Sequence, residues 1–340
     1  MPTTETPETA PPPARLLRRW DLGEVSACVP VGEGRSRRID ASAGRFLLRE
    51  YTTTTRRELL FRHSVLAALA AAGLPVHPAA PARDGRTVLQ SEGRRYALFP
   101  WAEGRRLGGL ELSLTQCHRL GGLLGRVHAE LDALTPPVQQ SLLVPTPHAA
   151  EAVATIDGLL AALPADGDDF DALAERRLRE RRALLVELSD HQPPEAEIMA
   201  MGHVHGDFHD RNLLYGWSGS VAAVLGWDRL RVAPLAGELV QAAISLFGHP
   251  DERGLDLDRV AAFLGGHAEE LPLDPGQICS AVHRLWWERL CDFRPLRRRY
   301  LDHDRSSDHL FPGAAALVEW WTPRLDLTLD VFARPYSSAS

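Results

Sequence analysis

Short apolar runs give way to helical stripes near residue 100. Before that point, Ala27-Cys-Val-Pro-Val31 leads into the glycines Gly32 and Gly34, as a strand entering a turn does. Arg45-Phe-Leu-Leu-Arg-Glu-Tyr51 is a compact apolar run flanked by charge, and it predicts a second strand. From Arg56, the leucines Leu59, Leu60, Leu66 and Leu69 recur at helical spacing until Gly73 and Pro75 stop them. Thr87-Val-Leu-Gln90 and Tyr96-Ala-Leu-Phe-Pro-Trp101 predict two further strands, the second closed by Pro100. Beyond it, Leu114, Cys117, Leu120, Leu124, Val127 and Leu131 form one helical stripe that ends at Pro136-Pro137. A second helix, laced with Arg and Glu, covers 169–189, and the segment between these helices reads as loops around a short helix near 150–161. Leu213-Leu-Tyr215 and Val221–Leu225 are brief strands flanking a turn, and the remainder is mostly helical. No repeat of solenoid period is present. The outline is α+β: a disordered leader over 1–14, a small mixed lobe with an antiparallel sheet over 15–100, and a larger, mainly helical lobe over 101–340.

Composition narrows the function classes. The 340 residues are 44% hydrophobic and 24% charged, ordinary values for a soluble globular chain with two lobes. A net charge of -7 supplies no global positive field for nucleic acid or anionic membranes. The chain contains no lysine, so all 38 basic side chains are arginine, and no Schiff base or ammonium-type phosphate ligand can form. Cys28, Cys117, Cys279 and Cys291 are scattered without metal-type spacing, which suits a reducing cytoplasm. The N-terminus lacks the basic and apolar regions of a signal peptide, and the most apolar stretch, Val65–Val76, is too short to span a bilayer.

The chemistry concentrates in Gly202-His-Val-His-Gly-Asp-Phe-His-Asp-Arg-Asn-Leu-Leu-Tyr215. This segment resembles the catalytic loop of the aminoglycoside phosphotransferase and choline kinase group, whose pattern is H-G-D-x-H-x-x-N followed by apolar residues. The resemblance spans roughly residues 25–240 and implies a bilobal, protein-kinase-like fold. It also implies phosphoryl transfer from ATP or GTP with Mg2+. By the same resemblance, Asp207 orients the acceptor hydroxyl and accepts its proton. Asn212 holds the metal through its side-chain oxygen, and His205 braces the loop.

Val224-Leu-Gly-Trp-Asp228, followed by Glu238-Leu-Val240, resembles the family's metal segment, I-D-W-D, and the acidic element beyond it. The aspartate that ligates metal in that pattern is Gly226 here, and a magnesium site bridging phosphates normally needs a carboxylate. Asp228, two residues on, would share its face in an extended strand, and it is either the substitute ligand or an ordinary structural residue. In the N-terminal lobe, Gly32, Gly34 and Ser36 correspond to the loop over the nucleotide phosphates. Arg49 stands where the family carries its phosphate-pairing lysine, with Glu58 as the expected ion-pair partner. Phe99 and Trp101 lie in the segment resembling the hinge that meets adenine.

The family's acceptor pocket is built from its C-terminal helices, which points to Trp286, Trp287, Glu288 and Asp292. Consecutive tryptophans on a helix are equally consistent with core packing. Nearby Arg297, Arg298, Arg299 and Arg305 argue against a purely anionic pocket for a polycation. Three functions follow. The first is a kinase for a hydroxyl on a small molecule, such as an antibiotic or biosynthetic intermediate, or on Ser or Thr of a modified peptide. The second is a pseudokinase, a nucleotide-binding partner of another protein, impaired by Gly226. The third reads His203-Val-His205 with Asp207 and His209 as a metallohydrolase cluster.

Overall fold

The computed structural model describes residues 14–32, 35–134, 138–143, 146–249, 251 and 254–337. In chain order the elements begin with α1 (Ala14–Leu17), β1 (Val25–Val31), β2 (Ser36–Ala41), β3 (Gly44–Tyr51), α2 (Arg56–Ala71), β4 (Leu89–Ser91) and β5 (Arg94–Pro100). There follow α3 (Leu114–Leu134), β6 (Val138–Leu143), α4 (Ala149–Ala161), α5 (Asp169–Glu187), β7 (Ala196–Val204), β8 (Leu213–Tyr215), β9 (Val221–Val224) and β10 (Arg231–Pro234). The rest is helical: α6 (Leu235–Phe247), α7 (Leu257–Glu270), α8 (Pro275–Leu290), α9 (Arg294–Tyr300), α10 (Phe311–Trp321) and α11 (Leu325–Ser337). These elements form two units, one of residues up to Arg106 with Arg211–Leu230, the other of Leu107–Asp210 with Arg231 onward. All but the last residue of the leader expected over 1–14 lies outside the described residues, and so does Gly34.

In the first unit, five antiparallel strands run in the order β1-β2-β3-β5-β4. The strands around 27–31, 45–51, 87–90 and 96–101 were legible from their apolar runs, whereas β2 was not. Its sequence, Ser-Arg-Arg-Ile-Asp-Ala, sends only Ile39 fully into the core, against Leu48, Leu89 and Leu98. Helix α2 starts at a capping box in which Thr55 Oγ1 accepts from Glu58 N–H and Glu58 returns the bond to Thr55 N–H. Its face of Leu59, Val65, Leu66 and Leu69 is buried, each side chain contributing about 1.5–3 kcal/mol of transfer free energy. The β8–β9 hairpin joins this unit through Val224 N–H to Pro75 O, at 2.7 Å, and through paired backbone bonds between Arg105 and Tyr215.

The second unit is mainly helical, with α3 packed on α7 at its centre. The stripe Cys117, Leu120, Leu124, Val127 and Leu131 is buried as the spacing predicts. Glycines set how closely the two helices approach. A Cβ on Gly121 would lie 1.7 Å from Phe263 O, and one on Gly266 would lie 1.9 Å from His118 O. A three-stranded antiparallel sheet, in the order β10-β7-β6, was not foreseen: β6 lies in the stretch read as loops and β10 in the part read as mostly helical. Strand β7 carries the chain directly into the H-G-D segment. No helix among the described residues is long and apolar enough to cross a membrane.

Candidate active site

Strand β7 ends at Val204, and His205 follows it fully buried. Gly206 then takes a left-handed φ of +82°, a conformation that glycine adopts without a side-chain penalty. The turn exposes two consecutive backbone donors, His205 N–H and Gly206 N–H, and both bond to the carboxylate of Glu238 in the first turn of α6. His205 braces the loop a second way, because its Nδ1 accepts the Asp207 N–H at 3.1 Å. Phe208 is buried with its ring edge-on to His205, and the Arg231 guanidinium caps Gly206 O at 3.1 Å. Asp207 is partly exposed, with His209 Nε2 3.4 Å from its carboxylate.

Glu238 is also the end of a buried relay. His128 Nε2 lies 2.9 Å from its carboxylate, His128 Nδ1 lies 3.1 Å from His267 Nε2, and Tyr336 Oη lies 2.8 Å from His267 Nδ1. One tautomer assignment satisfies every atom. Tyr336 O–H donates to His267, His267 Nε2–H to His128, and His128 Nε2–H to Glu238. Burial pushes the Glu238 carboxyl upward, yet the His128 hydrogen bond and the loop N–H donors hold it below the usual carboxylate value. Burial, the chief cause, holds His267 well below the usual histidine value, so its ring is neutral. The sequence placed Glu238 in the acidic element but missed His128 and His267. The available signal was His128 itself, a polar residue on the apolar stripe one turn after Leu124.

In the first unit, the chain leaves the loop through a turn of 3-10 helix, Asp210–Asn212, and Asn212 O accepts from Leu225 N–H at 2.8 Å. Gly226 has φ +83°, and a Cβ there would lie 2.4–2.7 Å from the side-chain atoms of Asn212. Asn212 therefore packs against the bare Cα at the position where the family pattern carries a carboxylate. Asp228 does not follow on an extended strand. The left-handed turn at Gly226 feeds a 3-10 turn, Trp227–Arg229, anchored by Trp227 Nε1–H to Val224 O. The two-residue argument for a shared face fails here. Instead, Asp228 Oδ2 lies 2.6 Å from Arg49 Nη1, and its Oδ1 lies 3.9 Å from Arg62 Nη1. Both oxygens thus face guanidinium groups, and Gly226 has no side chain, so neither position supplies the open carboxylate that the family pattern gives a magnesium site. Among the described residues no group of three or more His, Cys, Asp or Glu forms the zinc cluster of a metallohydrolase.

Other candidate residues separate. The Arg49–Glu58 pair is not formed, because Glu58 gives its carboxylate to Thr55 in the capping box. Ser36 is the first residue of β2, with Arg49 as its β3 partner, and Gly32 has open space where a Cβ would sit. Phe99 packs beside Tyr51, Leu59 and Ala97 with its ring against His63, and Trp101 N–H bonds to Arg45 O. Trp286 and Trp287 are core residues. Both rings are buried, so neither presents a face for an acceptor to stack on, and their indole N–H groups bond Thr322 Oγ1 and Pro147 O. Glu288 and Asp292 do line an open depression of about 440 Å³, together with Gln241, Arg289, Arg294 and Arg297. Asp292 is neutralised there by Arg294.

A five-stranded antiparallel sheet ahead of a mainly helical region, with H-G-D at the end of a strand, defines a kinase-like phosphotransferase. The chain belongs to the phosphotransferase enzyme family, whose model matches residues 28–273. A spectinomycin phosphotransferase solved with ADP and spectinomycin is similar in fold. It is 14% identical, with a TM-score of 0.59, covering 94% of this chain and 97% of that one. An amicoumacin kinase solved with AMP-PNP and Ca2+ gives 14% and 0.58 over 92% of both chains. A microcompartment-associated aminopropanol kinase gives 16% and 0.57, covering 93% of this chain and 98% of that one. No curated protein matches the chain.

Proposed function

We propose that this chain transfers the terminal phosphoryl group of ATP or GTP to a hydroxyl of a small molecule. The observation that supports it best is the preformed loop His205–Asp207, pinned through two backbone N–H groups by the buried Glu238 carboxylate. A loop fixed in this way presents Asp207 without reorganisation at the moment of reaction. Asp207 orients the acceptor hydroxyl and takes its proton as the new O–P bond forms. The bond to the bridging phosphate oxygen breaks, and nucleoside diphosphate leaves. The named substrates of the solved relatives support an antibiotic or amino alcohol as acceptor class, and a Ser or Thr of a modified peptide meets the same chemistry. The mixed charges around Glu288 and Asp292 suit a polar acceptor and not a polycation. Four free cysteines support a reducing cytoplasm.

The test is nucleoside diphosphate release over a panel of hydroxyl acceptors. Asp207→Ala should lower turnover by about 10²-fold or more while nucleotide affinity stays within about threefold. Unchanged turnover in that variant would remove Asp207 from the reaction. Gly226 favours a second reading, in which the protein binds nucleotide but does not turn over and acts on a partner protein. Retained ATP binding with no diphosphate release over the whole panel selects it.

A further inference from the structure

We infer that Arg49 and Arg62 form a phosphate-binding site that needs no divalent metal, with Asp228 as its built-in competitor. The inference rests on the nucleotide half of the proposed function and replaces the metal that the family pattern implies. All three side chains belong to the first unit. Arg49 projects from the central strand β3, its guanidinium carbon 5.6 Å from the centre of the Tyr51 ring. Arg62 extends from α2, one turn beyond Glu58. The two guanidinium groups approach the two separate oxygens of one carboxylate, the arrangement that two arginines adopt around one phosphate.

The groups packed around this cluster leave its cations available to an anion. Glu58, the expected partner of Arg49, is turned into the helix cap and held below the usual carboxylate value, first by its backbone bond with Thr55. Burial, against the opposing charge of Arg49, raises the Tyr51 phenol to about 12, so it stays uncharged. Asp228 is then the anion paired with Arg49 at 2.6 Å and facing Arg62 at 3.9 Å, and these three side chains together carry a net charge of +1. Without Asp228 the pair carries +2, the charge that a magnesium ion would bring to the same phosphates. Unlike magnesium, guanidinium groups impose no octahedral oxygen shell, so the glycine at 226 costs such a site nothing.

The experiment is calorimetric titration of the full chain with ATP and with inorganic triphosphate, in EDTA and in magnesium chloride. The expected result is ATP binding in EDTA within about threefold of that in magnesium, since guanidinium–phosphate bonds supply the charge neutralisation. Arg49→Gln and Arg62→Gln should each weaken triphosphate binding by about tenfold or more, the scale of one charge-assisted hydrogen bond. Asp228→Asn should strengthen it by about the same factor. Thermal melts of the three variants control for folding. ATP binding that appears only with magnesium overturns the inference and leaves the nucleotide reading intact. Weaker triphosphate binding by Asp228→Asn also overturns it, because Asp228 would then be a ligand and not a competitor. No binding of either compound in either buffer overturns both.

Discussion

Replacing Gly226 by aspartate restores the family pattern on paper, but the structure argues against a gain. Residue 226 is left-handed, and a Cβ would drive into the side chain of Asn212. Gly226→Asp should therefore lower stability by about 1–3 kcal/mol, the cost of a non-glycine residue in a strained conformation. Urea unfolding of that variant measures it, and an unchanged midpoint with new magnesium-dependent turnover would show that Asn212 yields to a rebuilt metal site. Neighbouring residues show how much of the site was readable in advance. The candidate H-G-D loop was legible because Asp207, His205 and the apolar tail share one short segment. The Arg49 partner was misassigned because helix proximity suggested Glu58, although Thr55-Arg-Arg-Glu58 carries the threonine-to-glutamate spacing of a capping box. No local pattern could reveal Arg62 and Asp228 as partners, since 166 positions of chain separate them.

At the scale of elements, the α3–α7 crossing and the α11 dock make contrasting demands. Gly121→Ala and Gly266→Ala each put a methyl within 2 Å of a carbonyl on the opposing helix, so each should cost about 3 kcal/mol or prevent folding. Gly158→Ala in α4 meets nothing within 4 Å and should stabilise by about 0.5–1 kcal/mol through helix propensity. Equal melting shifts for Gly121→Ala and Gly158→Ala would show that the helices do not meet at their glycines. Tyr336→Phe removes the donor at the far end of the relay and leaves His267 Nδ1 without its bond, at a cost of about 1–3 kcal/mol. If the relay also positions the loop, that variant lowers kcat more than it raises KM. A pure stability loss with unchanged kcat assigns α11 to packing alone. These element-level features were mostly hidden in the sequence. The helical stripes announced α3, yet the glycines of its contact face carry no apolar signal to mark them. Strand β2 was missed because its apolar content is low, although both its partners are adjacent in the chain, and β6, β7 and β10 were missed because β7 pairs with segments distant from it in the chain.

For the whole molecule, the buried ionisable groups set a direction for acid stability. His63 is buried in α2 and lowered to about 4, first by desolvation and then by Arg62, while burial also lowers His267. A histidine whose folded value is depressed stays neutral in the fold while the unfolded chain takes up a proton. Its contribution falls as pH drops below about 6.5 and stops falling near the folded value. His63 alone implies a loss on the order of 3 kcal/mol between pH 6.5 and 4. Glu238 acts next, because a depressed carboxyl contributes above its unfolded value and loses that contribution as pH falls through the lower folded one. Unfolding midpoints in urea should therefore decline steadily below pH 6.5, and a flat profile down to pH 4.5 would refute this account.

The relay from Tyr336 to Glu238 has one further property. In the tautomers assigned above, each of its protons points towards the H-G-D loop, and both rings are sealed from water. Imidazole N–H protons normally vanish from spectra through rapid exchange with solvent, but these two are shielded in the same way as core amides. They make natural reporters that need no label. Two slowly exchanging ring resonances mark a molecule whose C-terminal helix is seated, and their joint disappearance on truncation before Tyr336 reads out that seating directly.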